Sequence, residues 1–125
     1  MFRSYIVPLL FVGILILGAV PAAPAAQTAS KSVTLKGEIV DLACYLDHGA
    51  KGPGHKTCAL TCLKNGEPMG LLASDGAVYL LLAPHEDAKA FDTAKGLASE
   101  QVEITGPPAE RAGIKAVTVE SVRKI

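Results

Sequence analysis

Gly70-Leu-Leu-Ala-Ser-Asp-Gly-Ala-Val-Tyr-Leu-Leu-Leu-Ala83 is the stretch on which the fold turns. Ser74-Asp75-Gly76 is a turn signal between two apolar runs, so the segment reads as a hairpin, with Gly70–Ala73 and Ala77–Ala83 as its strands. Val78 to Leu82 is apolar without interruption, which predicts a strand buried on both sides. Upstream, Val33 to Leu42 reads as a first strand: Val33, Leu35 and Ile39 lie on one face, Val40 and Leu42 on the other. The shift of parity near Gly37 predicts a bulge or a bend.

Downstream, Pro84-His-Glu-Asp87 opens a helix, with proline in the first turn and two acids at its positive end. Ala90, Phe91, Ala94 and Leu97 carry it at helical spacing to about Lys95. Gln101–Thr105 alternates as a fourth strand, Gly106–Gly113 is a turn, and Ile114–Val122 is a fifth strand. A mainly β chain of five strands, with one helix inserted after the first and another after the third, predicts an OB-like small barrel. The alternative is an open five-stranded sheet with the helix on one face.

The N-terminus reads as an export signal. Arg3 precedes an uncharged run from Ile6 to Val20, and Ala23-Pro24-Ala25 offers a small-residue cleavage site, which predicts a signal peptide over 1–25. At about fifteen residues the apolar run falls short of the roughly 20 that span a bilayer, so an uncleaved anchor is the second choice. Residues 26–32 are a polar, flexible leader, and 33–125 form a single domain. Localisation is then periplasmic or extracellular, with no membrane association once the signal is removed. Without Arg3, eleven basic residues face twelve acidic ones, a net charge of −1. That balance gives no basic surface for a phosphate backbone and argues against a nucleic-acid partner.

Function concentrates between the first two strands. Cys44-Tyr-Leu-Asp-His-Gly-Ala-Lys-Gly-Pro-Gly-His-Lys-Thr-Cys58-Ala-Leu-Thr-Cys62 holds every cysteine and two of the three histidines. Asp47–Gly54 is glycine-rich and reads as a loop. His55–Lys64 is a short helix that Asn65-Gly66 stops. On that helix His55, Cys58 and Cys62 lie within about 60° of one another around the axis, and Cys44 meets them from the end of the first strand. Three thiolates and one imidazole are a tetrahedral zinc set, and thiolates also select Cu(I). Met69 adds a reserve thioether and His48 a reserve imidazole, while Asp41 and Asp47 are placed to orient a ligand from behind. Copper stands ahead of zinc, because three thiols in an oxidising compartment need something that keeps them reduced. A four-ligand site leaves no open coordination position, which points to a binding or carrier role rather than catalysis, with a metal donor or acceptor as the unknown protein partner.

Two other readings use the same residues. A disulfide from Cys44 to Cys58 or to Cys62 would tie the helix to the sheet and leave one free thiol, a staple worth about 3 kcal/mol in the chain-entropy model. Thiol redox chemistry between Cys58 and Cys62 ranks third, since closing an i, i+4 pair distorts the helix. His85, at the predicted helix start, reads as an exposed residue. No glycine-rich phosphate loop, no G-x-S-x-G and no pair of apolar-embedded carboxylates is present.

Gly37-Glu-Ile-Val-Asp-Leu-Ala-Cys-Tyr45, His55-x2-Cys58-x3-Cys62 and Gly70-Leu-Leu-x3-Gly-x-Val-Tyr79 together make the chain resemble a group of small exported bacterial proteins with OB-type barrels and no assigned activity. The resemblance spans nearly all of residues 33–125 and implies the fold and export, but no reaction. Locally, the C-x3-C pair with its histidine is similar to copper-delivery proteins of thioredoxin fold, on a different architecture.

Overall fold

A computed structural model describes residues 30–125. The expected signal peptide over 1–25 lies outside the described residues, as do residues 26–29 of the leader. Among the described residues no helix is long and apolar enough to cross a membrane. Ser30 and Ser32, expected in a flexible leader, hydrogen bond to the Pro108 carbonyl at 3.2 Å and to the Glu120 carboxylate at 2.9 Å.

The first strand, β1, covers Val33–Asp41. Its first half pairs with β4 (Gln101–Gly106) and its second half with β2 (Met69–Ala73), with Gly37 and Glu38 shared by both ladders. The register is unbroken through this handover, so the predicted bulge is absent. The parity shift has another cause: beyond Gly37 both faces of β1 are buried, so Ile39 and Val40 both need to be apolar. Gly37 is required there, because a Cβ would stand 2.2 Å from the Leu72 carbonyl oxygen.

β1 stops at Asp41, one residue before the predicted end, because Asp41 caps a helix that the sequence reading did not foresee. This helix, α1, spans Leu42–His48. Asp41 Oδ1 accepts the Ala43 N–H at 3.0 Å, and Gly49, at φ 68°, ends the helix by donating to the Tyr45 carbonyl at 2.8 Å. Leu42 seats α1 on the sheet above Gly70, where a Cβ would lie 2.5 Å from the leucine side chain. Cys44 is therefore a helical residue rather than a strand end. A 3-10 turn over Pro53–His55 leads into α2, Lys56–Lys64, whose Ala59 and Leu63 are buried in the core beside Ile39.

The hairpin of β2 and β3 (Val78–Leu82) forms as expected around Gly76 at φ 86°, with Gly70 opposite Leu80. Only Leu81 of β3 is buried, however, and Leu82 is 37% exposed, so the strand is not enclosed on both sides. The helix after it, α3, runs over Lys89–Lys95, later than predicted, and Asp87 Oδ1 accepts the Lys89 N–H in a local turn just ahead of it.

The C-terminal third departs most from expectation. The predicted turn 106–113 contains a strand, β5 (Pro108–Arg111), which pairs with β6 (Ile114–Thr118) across Ala112-Gly113, both at positive φ. That is the two-residue loop geometry that suits hairpin twist. The predicted fifth strand breaks after Thr118: β6 runs parallel to β3, and β7 (Ser121–Lys124) pairs with β4. The result is one seven-stranded sheet in the order β5-β6-β3-β2-β1-β4-β7. Among the described residues the protein is mainly β, as expected, with three α-helices, but the sheet is not closed into a barrel, and the five-stranded OB-like barrel is replaced by this open seven-stranded arrangement.

Candidate metal centre

Three short elements bring the thiols together. Asp41 closes β1, Cys44 stands in the first turn of α1, and Cys58 and Cys62 stand one turn apart on α2. His55 is the residue at which the 3-10 turn becomes α2. The intervening loop is fixed by backbone bonds. Gly52 donates its N–H to the buried Glu38 carboxylate, and Ala50 donates to the Cys44 carbonyl at 3.4 Å. Lys56, next to His55, is paired with Glu100, whose other oxygen holds Lys124 at 2.9 Å. Glu100 itself is set by β1, since the Ile39 N–H donates to its carbonyl at 3.2 Å.

Within this frame the ligand atoms form two triads that share one residue. A ring nitrogen of His55 and the sulfurs of Cys44 and Cys58 lie within 4.8 Å of one another, and so do a carboxylate oxygen of Asp41 and the sulfurs of Cys44 and Cys62. Three cysteines and a histidine are thus close enough to hold a metal ion. All three cysteines are free thiols; Cys58 is exposed, Cys44 and Cys62 half-buried.

Two polar atoms in the cluster are buried without a hydrogen-bond partner: His55 Nε2 and Asp41 Oδ2. An unsatisfied buried group of this kind costs on the order of 1–3 kcal/mol. Asp41 is 1% exposed. Burial pushes its carboxyl up, but the neighbouring thiols and the N–H groups of Ala43 and Cys44 more than offset this, leaving it below the ordinary carboxylate range. The thiols act on the carboxylate by proximity, at a geometry that completes no hydrogen bond to Oδ2. They respond in the opposite direction. The Asp41 carboxylate pushes Cys44 up to about 12 and Cys62 up to about 11, with burial adding to both. In the metal-free protein both thiols are protonated at neutral pH.

Of the reserve ligands, His48 stands apart from both triads and Met69 lies beside Asp41. His48 Nε2 pairs with Asp47 at 2.9 Å, both side chains more than two-thirds exposed. Met69 sits opposite Asp41 in the β1–β2 ladder and is packed in the core with Leu63 and Leu71. His85 lines a pocket with Leu82 and Thr118 and belongs to neither triad. The residue that sequence reasoning underrated is Asp41, expected to act through another ligand and found with an oxygen of its own in a triad. Its signal was the missed helix: with α1 in place, Asp41 and Cys44 stand at N-cap and i+3. Comparison of the chain with protein-family models, with curated proteins and with solved structures finds no match.

Proposed function

We propose that this chain is an exported module that binds a thiophilic transition ion, copper or zinc, through Cys44, His55 and Cys58, with Cys62 adjacent as a fourth donor. One observation carries the reading: a buried imidazole nitrogen with no hydrogen-bond partner, on a histidine that lies beside two free thiols. Soft sulfur and borderline nitrogen donors match Cu(I) and Zn(II) among the common ions. The exposure of Cys58 supports a carrier role, since a partner's ligand can reach the ion from that side. Export rests on the apolar segment that follows Arg3.

The raised thiols weigh against redox catalysis, because the thiolate is the reacting species and Cys44 and Cys62 hold their protons. For metal binding they mean that loading releases protons to solvent and tightens with rising pH. A second reading, the disulfide staple, has its own support: the Cys44 sulfur lies within 4.8 Å of both Cys58 and Cys62.

Native and denaturing mass spectrometry on protein purified from its own compartment, without chelator or reductant, separates the two. The expected result is a native mass raised by bound copper or zinc over a denatured mass with three free thiols, and loss of most of that metal in His55→Ala. A denatured mass lower by two hydrogens, with no metal in the native spectrum, would establish the staple instead.

A further inference from the structure

The two triads overlap at one atom, the Cys44 sulfur, and each includes a residue with a buried polar atom that has no partner. His55, which carries the unpartnered Nε2, belongs to the outer group with Cys44 and Cys58, and Asp41, which carries the unpartnered Oδ2, to the inner group with Cys44 and Cys62. A single ion bound by the outer group leaves the inner orphan as it was. Resting on the reading that this cluster binds metal, we infer that it has two metal positions bridged by the Cys44 thiolate: an outer one at Cys44, His55 and Cys58, and an inner one at Asp41, Cys44 and Cys62.

Charge supports the second ion. With its thiols ionised the cluster carries four negative ligands, Asp41, Cys44, Cys58 and Cys62, and one neutral imidazole. Two divalent ions balance that charge, whereas one divalent ion at the outer position, with Cys62 still protonated, leaves one negative charge in a partly buried site, where unpaired charge is costly. No lysine, arginine or histidine among the described residues forms an ion pair with Asp41, and its carboxylate is almost fully buried.

Ligand chemistry assigns the inner ion. A carboxylate is a hard donor that suits zinc and disfavours Cu(I), so a position with one carboxylate and two thiolates takes a divalent ion of the zinc class. The outer position, with sulfur and imidazole alone, accepts either. Geometry is compatible with one thiolate serving both: Cys44 stands in the first turn of α1, between the Asp41 that caps that helix and the two cysteines of α2. Loading both positions moves three thiol protons to the buffer and changes no oxidation state.

The test is the stoichiometry of the reduced full chain titrated with Zn(II) and read by native mass spectrometry, with Co(II) as a spectroscopic substitute. The expected result is two zinc ions per chain, falling to one in Asp41→Asn and to one in Cys62→Ser. Asparagine keeps an oxygen for the Ala43 N–H, so the cap on α1 survives the substitution. Circular dichroism checks this, and Cys62→Ser carries the test if Asp41→Asn does not fold. With Co(II), the paramagnetic signal of the first equivalent should fall as the second binds, because two ions on one thiolate couple magnetically. One zinc ion in wild type and in both variants would overturn the two-position site and leave a single outer centre. Two ions whose cobalt signals simply add would overturn the thiolate bridge. No bound ion in any of the proteins would overturn the metal reading itself.

Discussion

The sheet turns two comparable corners, and they are finished in opposite ways. After Thr118 the chain leaves β6 for β7, and each backbone donor finds an acceptor: Thr118 N–H on Pro107, Val119 N–H on Leu82 and Glu120 N–H on Thr105, at 2.9 to 3.1 Å. The side chain at its centre, Val119, is fully buried and apolar. After Asp41 the chain leaves β1 for α1, and there a carboxylate oxygen and an imidazole nitrogen are buried with no partner among three free thiols. The first corner is built for stability. The second carries an energetic cost that a bound cation would remove, which is why the proposed metal site is placed there.

Breaking the first corner should have the largest effect. Gly106 lies against it, and a Cβ there would stand 1.7 Å from the Thr118 carbonyl oxygen, which is backbone and cannot swing aside. Gly106→Val is expected to destabilise the domain by roughly 3 kcal/mol or more, the range of severe overpacking and backbone displacement. Urea titration of the metal-free protein measures this. A change below about 1 kcal/mol would show that the corner yields, and the contrast between the two corners would fail.

The second corner should respond in its chemistry rather than its folding. In the metal-free protein the Asp41 carboxylate holds Cys44 up to about 12 and Cys62 up to about 11. Asp41→Asn removes that charge, so both thiols should titrate closer to the ordinary value of 9.0. Alkylation of Cys44 and Cys62 by iodoacetamide, followed by peptide mass spectrometry, should then begin at lower pH in the variant. Stability follows the same linkage. A thiol whose folded pKa is raised stabilises the fold fully below its unfolded value near 9, and the contribution is lost as pH rises through 11 to 12. Metal-free wild type should therefore lose stability across pH 9 to 12 more steeply than Asp41→Asn. Coincident curves would mean that the carboxylate does not govern the thiols.

Much of this contrast was legible in the residues, and the illegible parts have physical reasons. The β2–β3 hairpin was plain from Ser74-Asp75-Gly76, and α2 from the Asn65-Gly66 stop, because local turn chemistry decides both. The candidate ligands Cys44, His55, Cys58 and Cys62 were picked out by type and spacing, and the structure brings them close together in two overlapping groups. Helix α1 was hidden because Leu42–His48 is seven residues long and follows directly on a strand, so its apolar residues extend the strand pattern. With α1 hidden, Asp41 could not be read as its cap or as a donor into the cluster. The split of the last strand was hidden for a different reason: Ile114–Val122 is rich in β-branched residues with no glycine or proline to mark a break, and the break comes from partners distant in sequence, β3 and β4, each claiming one half.

The smallest expected effect belongs to a carboxylate just outside the metal corner. Glu100 is bonded to Lys56, at the start of α2, and to Lys124 in β7. Those two lysines hold its carboxyl down to about 2, against 4.5 for an ordinary glutamate. A depressed folded pKa stabilises above the unfolded value and is lost as pH falls, here between about 4.5 and 2. Glu100→Gln should accordingly lower the melting temperature modestly at pH 7, where the group is partly solvated and screened, and the difference from wild type should close as pH approaches 2. Zinc stoichiometry should not change, because Glu100 contributes no atom to either triad. If Glu100→Gln instead released metal at neutral pH, the Lys56 tether would be holding His55 in place, and the boundary between the stabilising and the functional parts of the fold would have to move outward to include it.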